Sequence, residues 1–254
     1  MSVALDAGAW AGNDDVRWAA DARFAVYYAP SRVSPWWQAG CEWLGGDVET
    51  GAAYTAPQPP AVARTVAELT QAPRRYGWHG TLVAPFRLAD GVSSRAVLDE
   101  ARNWAHDQTP FVLPVEAATL GDFVALRPAE TDGETAMRAL AASALRTLGD
   151  LRARPSADDL GRRLAAPLTE RQRSLLIEWG YPYVFDEFRF HMTLSSSLDG
   201  AEERAALVAW WQARIAELGA LVIDSAALFV EPAPGQPFVL WQRLPFHADK
   251  VETP

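Results

Sequence analysis

The sequence predicts an α+β fold, bilobed, with two pseudo-symmetric lobes of mainly antiparallel strands, flanking helices and a central cleft. Three observations predict it. Amphipathic helical stretches and short β-rich apolar runs follow one another with short loops, and few parallel crossovers are demanded. No Gly/Ser-rich linker divides the chain, and its 254 residues, 49% of them apolar, suffice for one large core. Part of the chain also occurs twice. His79-Gly-Thr-Leu is followed by Asp90-Gly91, an amphipathic stretch and Leu113-Pro-Val-Glu-Ala-Ala-Thr-Leu. His191-Met-Thr-Leu is followed by Asp199-Gly200, an amphipathic stretch and Leu221-Val-Ile-Asp-Ser-Ala-Ala-Leu.

In chain order, residues 1–20 carry Asp6, Asp14 and Asp15 with no apolar signal region and read as a flexible leader. Residues 21–254 form the single domain, with repeat halves at about 77–128 and 188–245. An apolar run at 23–29 with Tyr27 and Tyr28 predicts a strand, and helices are expected near 34–44 and 60–69. Each repeat then reads as strand, helix, strand, strand. Its helices lie at about 94–106 and 202–218, and its last strands at 123–126 and 238–241. Between the halves, 135–148 has helical periodicity, and 169–179 starts on a capping threonine and stops at Gly180. Most of the eleven tryptophans are expected in the core.

The formal charge of -9 repels a long polyanion, so long nucleic acid is not an expected partner. Cys41 stands alone, which removes intramolecular disulfides and cysteine-based zinc sites and fits a cytoplasmic setting. No run approaches the roughly 18 apolar residues of a membrane span.

Side chains alternate along a strand, so His79 shares a face with Thr81, and His191 with Thr193. Two such faces meeting about a twofold axis would give two imidazoles and two hydroxyls around one tetrahedral anion. One imidazole would take a proton and the other give one during displacement at phosphorus, while the hydroxyls hold the non-bridging oxygens. No metal or cofactor is required. His106 and His247 lack this context and read as structural or solvated.

These residues resemble the paired His-x-Thr/Ser motifs of the two-histidine (2H) phosphoesterase superfamily, which includes RNA ligase-like proteins and cyclic nucleotide phosphodiesterases. Arg74-Arg-Tyr-Gly-Trp-His-Gly-Thr-Leu, Ala84-Pro-Phe-Arg-Leu, Trp179-Gly-Tyr-Pro-Tyr-Val and Glu187-Phe-Arg-Phe-His-Met-Thr-Leu are similar to the branch of phosphonate metabolism proteins called domain of unknown function 1045. The resemblance covers about residues 23–246. It implies a 2H-phosphoesterase-like fold and a metal-independent phosphodiesterase, a phosphoric diester hydrolase, opening a cyclic phosphate of a small sugar or nucleotide in phosphonate metabolism. One departure stands at Val83, where many of the family carry a lysine, on the face expected to hold Thr81.

Candidate substrate contacts are Tyr28, Arg74, Arg75, Tyr76, Tyr181, Tyr183 and Arg189. Arg74, Arg75 and Tyr76 either meet a substrate phosphate or form a solvated loop. Tyr28, Tyr181 and Tyr183 either line the cleft or pack as connectors. Arg189 either faces the His191 side or makes a salt bridge with Asp186 or Glu187. Arg152, Arg154, Arg162 and Arg163 read as a surface charge run in preference to a basic flap. The alternatives to a small-molecule enzyme are an RNA-end cyclic phosphodiesterase, which the acidic balance disfavours, and a non-catalytic binder of a nucleotide or phosphonate metabolite. Zinc hydrolysis is a weaker rival, since no ligand set has the usual spacing.

Overall fold

Ser34 caps the first helix because its side-chain oxygen accepts from the Trp36 amide, and Pro35 fits the first helical position, where no amide donor is needed. Such local signals set most elements of the computed structural model, which describes residues 7–247. The order is β1 (Arg23–Tyr28), α1 (Pro35–Leu44), α2 (Val66–Leu69), β2 (Gly80–Phe86), α3 (Ser94–His106), β3 (Phe111–Leu113), β4 (Val115–Leu120) and β5 (Phe123–Pro128). It continues with α4 (Thr131–Thr147), α5 (Ala157–Leu164), α6 (Glu170–Trp179), β6 (Met192–Thr193), α7 (Ala201–Leu218), β7 (Leu221–Ile223), β8 (Ser225–Glu231) and β9 (Val239–Pro245). The architecture is mixed α+β with antiparallel sheets.

Two expectations shift. The helix expected over 60–69 is only the four residues of α2, because the turn at Pro59-Pro60 delays its start to the capping box of Thr65 and Glu68. The helix expected at 135–148 begins four residues earlier, where Gly133 fits against Leu113 and Pro128.

The strands form a four-stranded sheet β2-β1-β8-β9, a three-stranded sheet β4-β5-β6 and a small ribbon β3-β7. The orders β2-β1-β8 and β6-β5-β4 match position for position, with every pairing antiparallel. In this correspondence β5 answers to β1, and β9 is an additional edge strand. The repeat read from sequence had instead aligned 123–126 with 238–241. β8 joins β2 and β1 from the second half of the chain, β6 likewise joins β4 and β5, and the equivalent strands β3 and β7 pair with each other, Val112 opposite Val222.

One continuous core joins these sheets to α1, α3, α4 and α7. Seven of the eleven tryptophans are buried in it, as expected. Trp78 stacks on Trp211, and Trp43 donates its indole N–H to the Leu194 carbonyl, 2.8 Å away, tying α1 to the chain just after β6. Gly40 lets α1 approach Trp78 closely, since a Cβ there would overlap the indole.

The described part of the expected leader, residues 7–20, is docked rather than loose. Trp18 packs edge-on against Trp241, and Asp14 pairs with Arg102 at 2.7 Å. Burying two indoles outweighs the polar composition that suggested disorder; residues 1–6 lie outside the described residues.

Candidate functional site

Tyr27 on β1 lies directly opposite Thr81 on β2, so both point to the same side of the sheet. The residue before β2 is His79, and its ring stacks on Tyr27 with centroids 4.0 Å apart. Next along β2 is Gly80, whose missing side chain is filled by the Phe190 ring and by Met192. Those two residues flank His191, so a glycine in the first motif is what lets the second approach.

The two imidazoles are held alike. His79 Nδ1 lies 2.8 Å from the Gly77 carbonyl, and His191 Nδ1 lies 3.0 Å from the Arg189 carbonyl. A carbonyl only accepts, so each Nδ1 carries a proton, and each Nε2 is left for a ligand. Burial pushes the His79 imidazole down to about 4; the Gly77 hydrogen bond opposes this, and the nearby His191 adds to it. His79 is therefore neutral near pH 7.

His79, Thr81 and Thr193 line one cleft of about 870 Å³, together with Tyr27, Tyr76 and Tyr181. The cleft is basic in a protein of net negative charge: six arginines line it, Arg23, Arg87, Arg152, Arg154, Arg162 and Arg163, against the carboxylates Asp159 and Glu231. Glu231 is wholly buried and bridges Arg23 and Arg75. Burial raises its carboxyl, but the hydrogen bond and charge of Arg23, with further donors from Gly235 and Arg75, outweigh this and hold it below the usual range.

Of the residues singled out from sequence, His79, Thr81, Thr193, Tyr76 and Tyr181 line the cleft; His191 is near enough for its charge to bear on His79 but is not itself among the lining residues. Others are elsewhere. Tyr28 is buried on the opposite face of β1, its hydroxyl donating to the Val222 carbonyl at 3.1 Å. Arg74 donates to the Ala67 and Thr70 carbonyls and so closes the end of α2. Arg75 is spent on Glu231, behind Tyr76. Tyr183 is 46% exposed, edge-on to Tyr181 outside the cleft. Arg189 donates to the Asp186 and Phe188 carbonyls, at 2.8 Å each, rather than to a carboxylate.

Val83 does not share the Thr81 face. Val26 opposes Val83 while its neighbour Tyr27 opposes Thr81, so Leu82 is an extra, unpaired residue and the alternation reverses there. Val83 is buried, and Ala84 takes the cleft position. Residues 152–163 extend the sequence reading: Arg154, Arg162 and Arg163 are exposed, as a surface run would be, and together with Arg152 they line the cleft. Among the described residues, no group of three His, Cys, Asp or Glu is placed to hold a metal ion, and no helix is long and apolar enough to cross a membrane.

Residues 81–239 match the family described as a protein of unknown function (DUF1045). The chain belongs to this family. This DUF1045 chain is also 38% identical over 235 residues to "Ribose 1,5-bisphosphate phosphokinase PhnN" of Janthinobacterium sp. (strain Marseille), a match covering 88% of this chain and 51% of the relative. It is 40% identical over 222 residues to the protein of the same name from Laribacter hongkongensis (strain HLHK9), covering 86% and 50%. The chain thus spans about half the length of the curated relatives it matches. Those names correct the expected activity: both relatives are named for a phosphokinase, a transferase, and not for a cyclic phosphodiesterase or any other phosphoric diester hydrolase.

Proposed function

We propose that the cleft binds a phosphorylated ribose and supplies proton-transfer groups for phosphoryl transfer at it, within phosphonate metabolism. The observation that carries this reading is a cleft rich in arginine that is lined by the backbone-anchored His79 and by the threonines of both motifs, with the likewise anchored His191 nearby. The relatives' names point to a ribose bisphosphate and to transfer rather than hydrolysis. The matching strand orders of the two sheets support the finer fold reading, two lobes of two-histidine type related by an approximate twofold.

In such a transfer a bond forms between phosphorus and an oxygen of the ribose phosphate, and the bond from phosphorus to the donor's bridging oxygen breaks, its electron pair leaving with that oxygen. The attacking oxygen must lose a proton, and the departing one can gain one. His79, neutral through burial, is suited to accept the first at Nε2, and His191 is the second proton carrier. Thr81 and Thr193 are placed to donate to the non-bridging oxygens, where charge accumulates. The chain's only lysine is Lys250, and no Gly-x-x-x-x-Gly-Lys run is present. We therefore assign the phosphoryl donor to the part of the longer relatives that this chain does not match.

Titration calorimetry with ribose 1,5-bisphosphate tests the reading. The expected result is micromolar binding that weakens at least tenfold in Thr81→Val/Thr193→Val. At pH 5 the bound phosphate should draw a proton onto His79, so the proton uptake read from heats in buffers of different ionisation enthalpy should be larger in the wild type than in His79→Asn, the ligand's own ionisation being common to both. No binding at millimolar ligand, or equal proton uptake in the variant, overturns the proposal.

A further inference from the structure

We propose that the arginines of residues 152–163 form a second anion subsite of the cleft, so that the ligand it selects carries two phosphate groups, one at the His-Thr pairs and one under this segment. The proposal rests on the reading of the cleft as phosphate-binding and goes beyond it in assigning residues to the second phosphate.

The segment has cations to spare. Asp159 is shared between Arg162 and Arg87, and Glu231 between Arg23 and Arg75. That leaves Arg152, Arg154 and Arg163 without a carboxylate. Among the described residues Arg154 has neither a hydrogen bond nor an ion pair, although it lines the cleft. Arg163 spends one amino group on the Gly180 carbonyl, at 2.6 Å. Arg152 spends one on the Trp179 carbonyl, at 2.6 Å, while its Nε is buried with no partner. A guanidinium has five donors in a planar fork suited to phosphate oxygens, so most of this capacity is unused.

The helix in this segment points the same way. α5 buries no side chain fully and packs on α6 only through the half-buried Leu160 and Leu164, so its arginines stay open to the cleft. Ser156 caps its start, the flanking carbonyls of Trp179 and Gly180 anchor the segment through Arg152 and Arg163, and its last turn carries Arg162 and Arg163. A cleft of about 870 Å³ has room for a pentose with two phosphates. Like charges gathered with so little compensation, in a chain of net charge -9, repel one another until an anion arrives.

The test compares ribose 1,5-bisphosphate with ribose 5-phosphate by calorimetry at low salt, in the wild type and in Arg154→Gln/Arg163→Gln. The wild type should prefer the bisphosphate at least tenfold. The double variant should bring that ratio close to one, the bisphosphate losing far more affinity than ribose 5-phosphate. Should the double variant fail to fold, Arg154→Gln alone, at an exposed side chain, should still lower the ratio several-fold. A wild type that does not distinguish the two ligands, or folded variants that keep the full preference, overturns the second subsite. A wild type that binds neither ligand overturns the phosphate-cleft reading beneath it.

Discussion

Acid should expose the burial of His79 as a loss of stability that a single substitution removes. In the folded chain its imidazole titrates at about 4, whereas a free imidazole titrates near 6.5. Above pH 6.5 the ring is neutral in both states and contributes no pH dependence. Below it the unfolded chain takes up a proton that the folded chain refuses, so stability falls as pH drops towards 4 and levels off below. The slope is about 1.4 kcal/mol per pH unit, and over the whole interval the loss is about 3 kcal/mol. His79→Asn is the informative variant, because its amide can still donate to the Gly77 carbonyl while carrying no titratable proton. Urea unfolding of both proteins between pH 7 and pH 4 reads the difference, since carboxylate effects are common to the two curves. The wild type should lose about 3 kcal/mol more than the variant, and proton NMR should place the His79 midpoint near 4. Parallel stability curves would refute the argument that burial keeps this ring neutral.

Replacing Gly80 by Ala should cost about 1–3 kcal/mol by urea unfolding and weaken ligand binding, because the new methyl group must displace Phe190 and separate the motifs; an unperturbed variant would contradict that packing. Glu231→Gln should cost about 3 kcal/mol at neutral pH, the low end for breaking a buried ion pair, since Arg23 and Arg75 are a third exposed; the loss should fade on acidification, where the wild-type carboxylate is also protonated. Tyr27→Phe keeps the ring stacked on His79 and removes only the hydroxyl lining the cleft, so phosphate-ligand affinity should drop about tenfold, worth about 1.4 kcal/mol, with the melting temperature unchanged to within a few degrees.

What the sequence showed well was local. The cap of α6 and its stop at Gly180 follow from residue types at fixed offsets, and the His-x-Thr spacing put Thr81 on the right side of its strand. What it missed depended on partners. Tyr27 and Tyr28 are indistinguishable as neighbours, and only pairing with β2 decides that Tyr27 faces the cleft and Tyr28 the core. The bulge at Leu82 reverses a face without any glycine to announce it. The arginines near α5 lie on the polar side of a short amphipathic helix, which in sequence looks like any solvated face; tertiary placement alone brings them to the cleft. The activity inferred from the resemblance was displaced by the relatives' names, since paired imidazoles suit proton transfer at phosphorus whether water or a sugar oxygen attacks.

The exchange of strands between the two halves governs the order in which this molecule can be assembled. Strand β8, which covers β1, lies more than a hundred residues further along the chain, so β1 must wait with a bare edge until that strand is made. A chain halted after β4 would hold one histidine motif and three strands, β1, β3 and β4, without their partners β8, β7 and β5. It could satisfy them by clasping a second identical fragment, which makes truncation a route to dimers. By the same logic, a single-copy ancestor could have worked as a symmetric pair, with gene duplication later joining the two subunits into one chain.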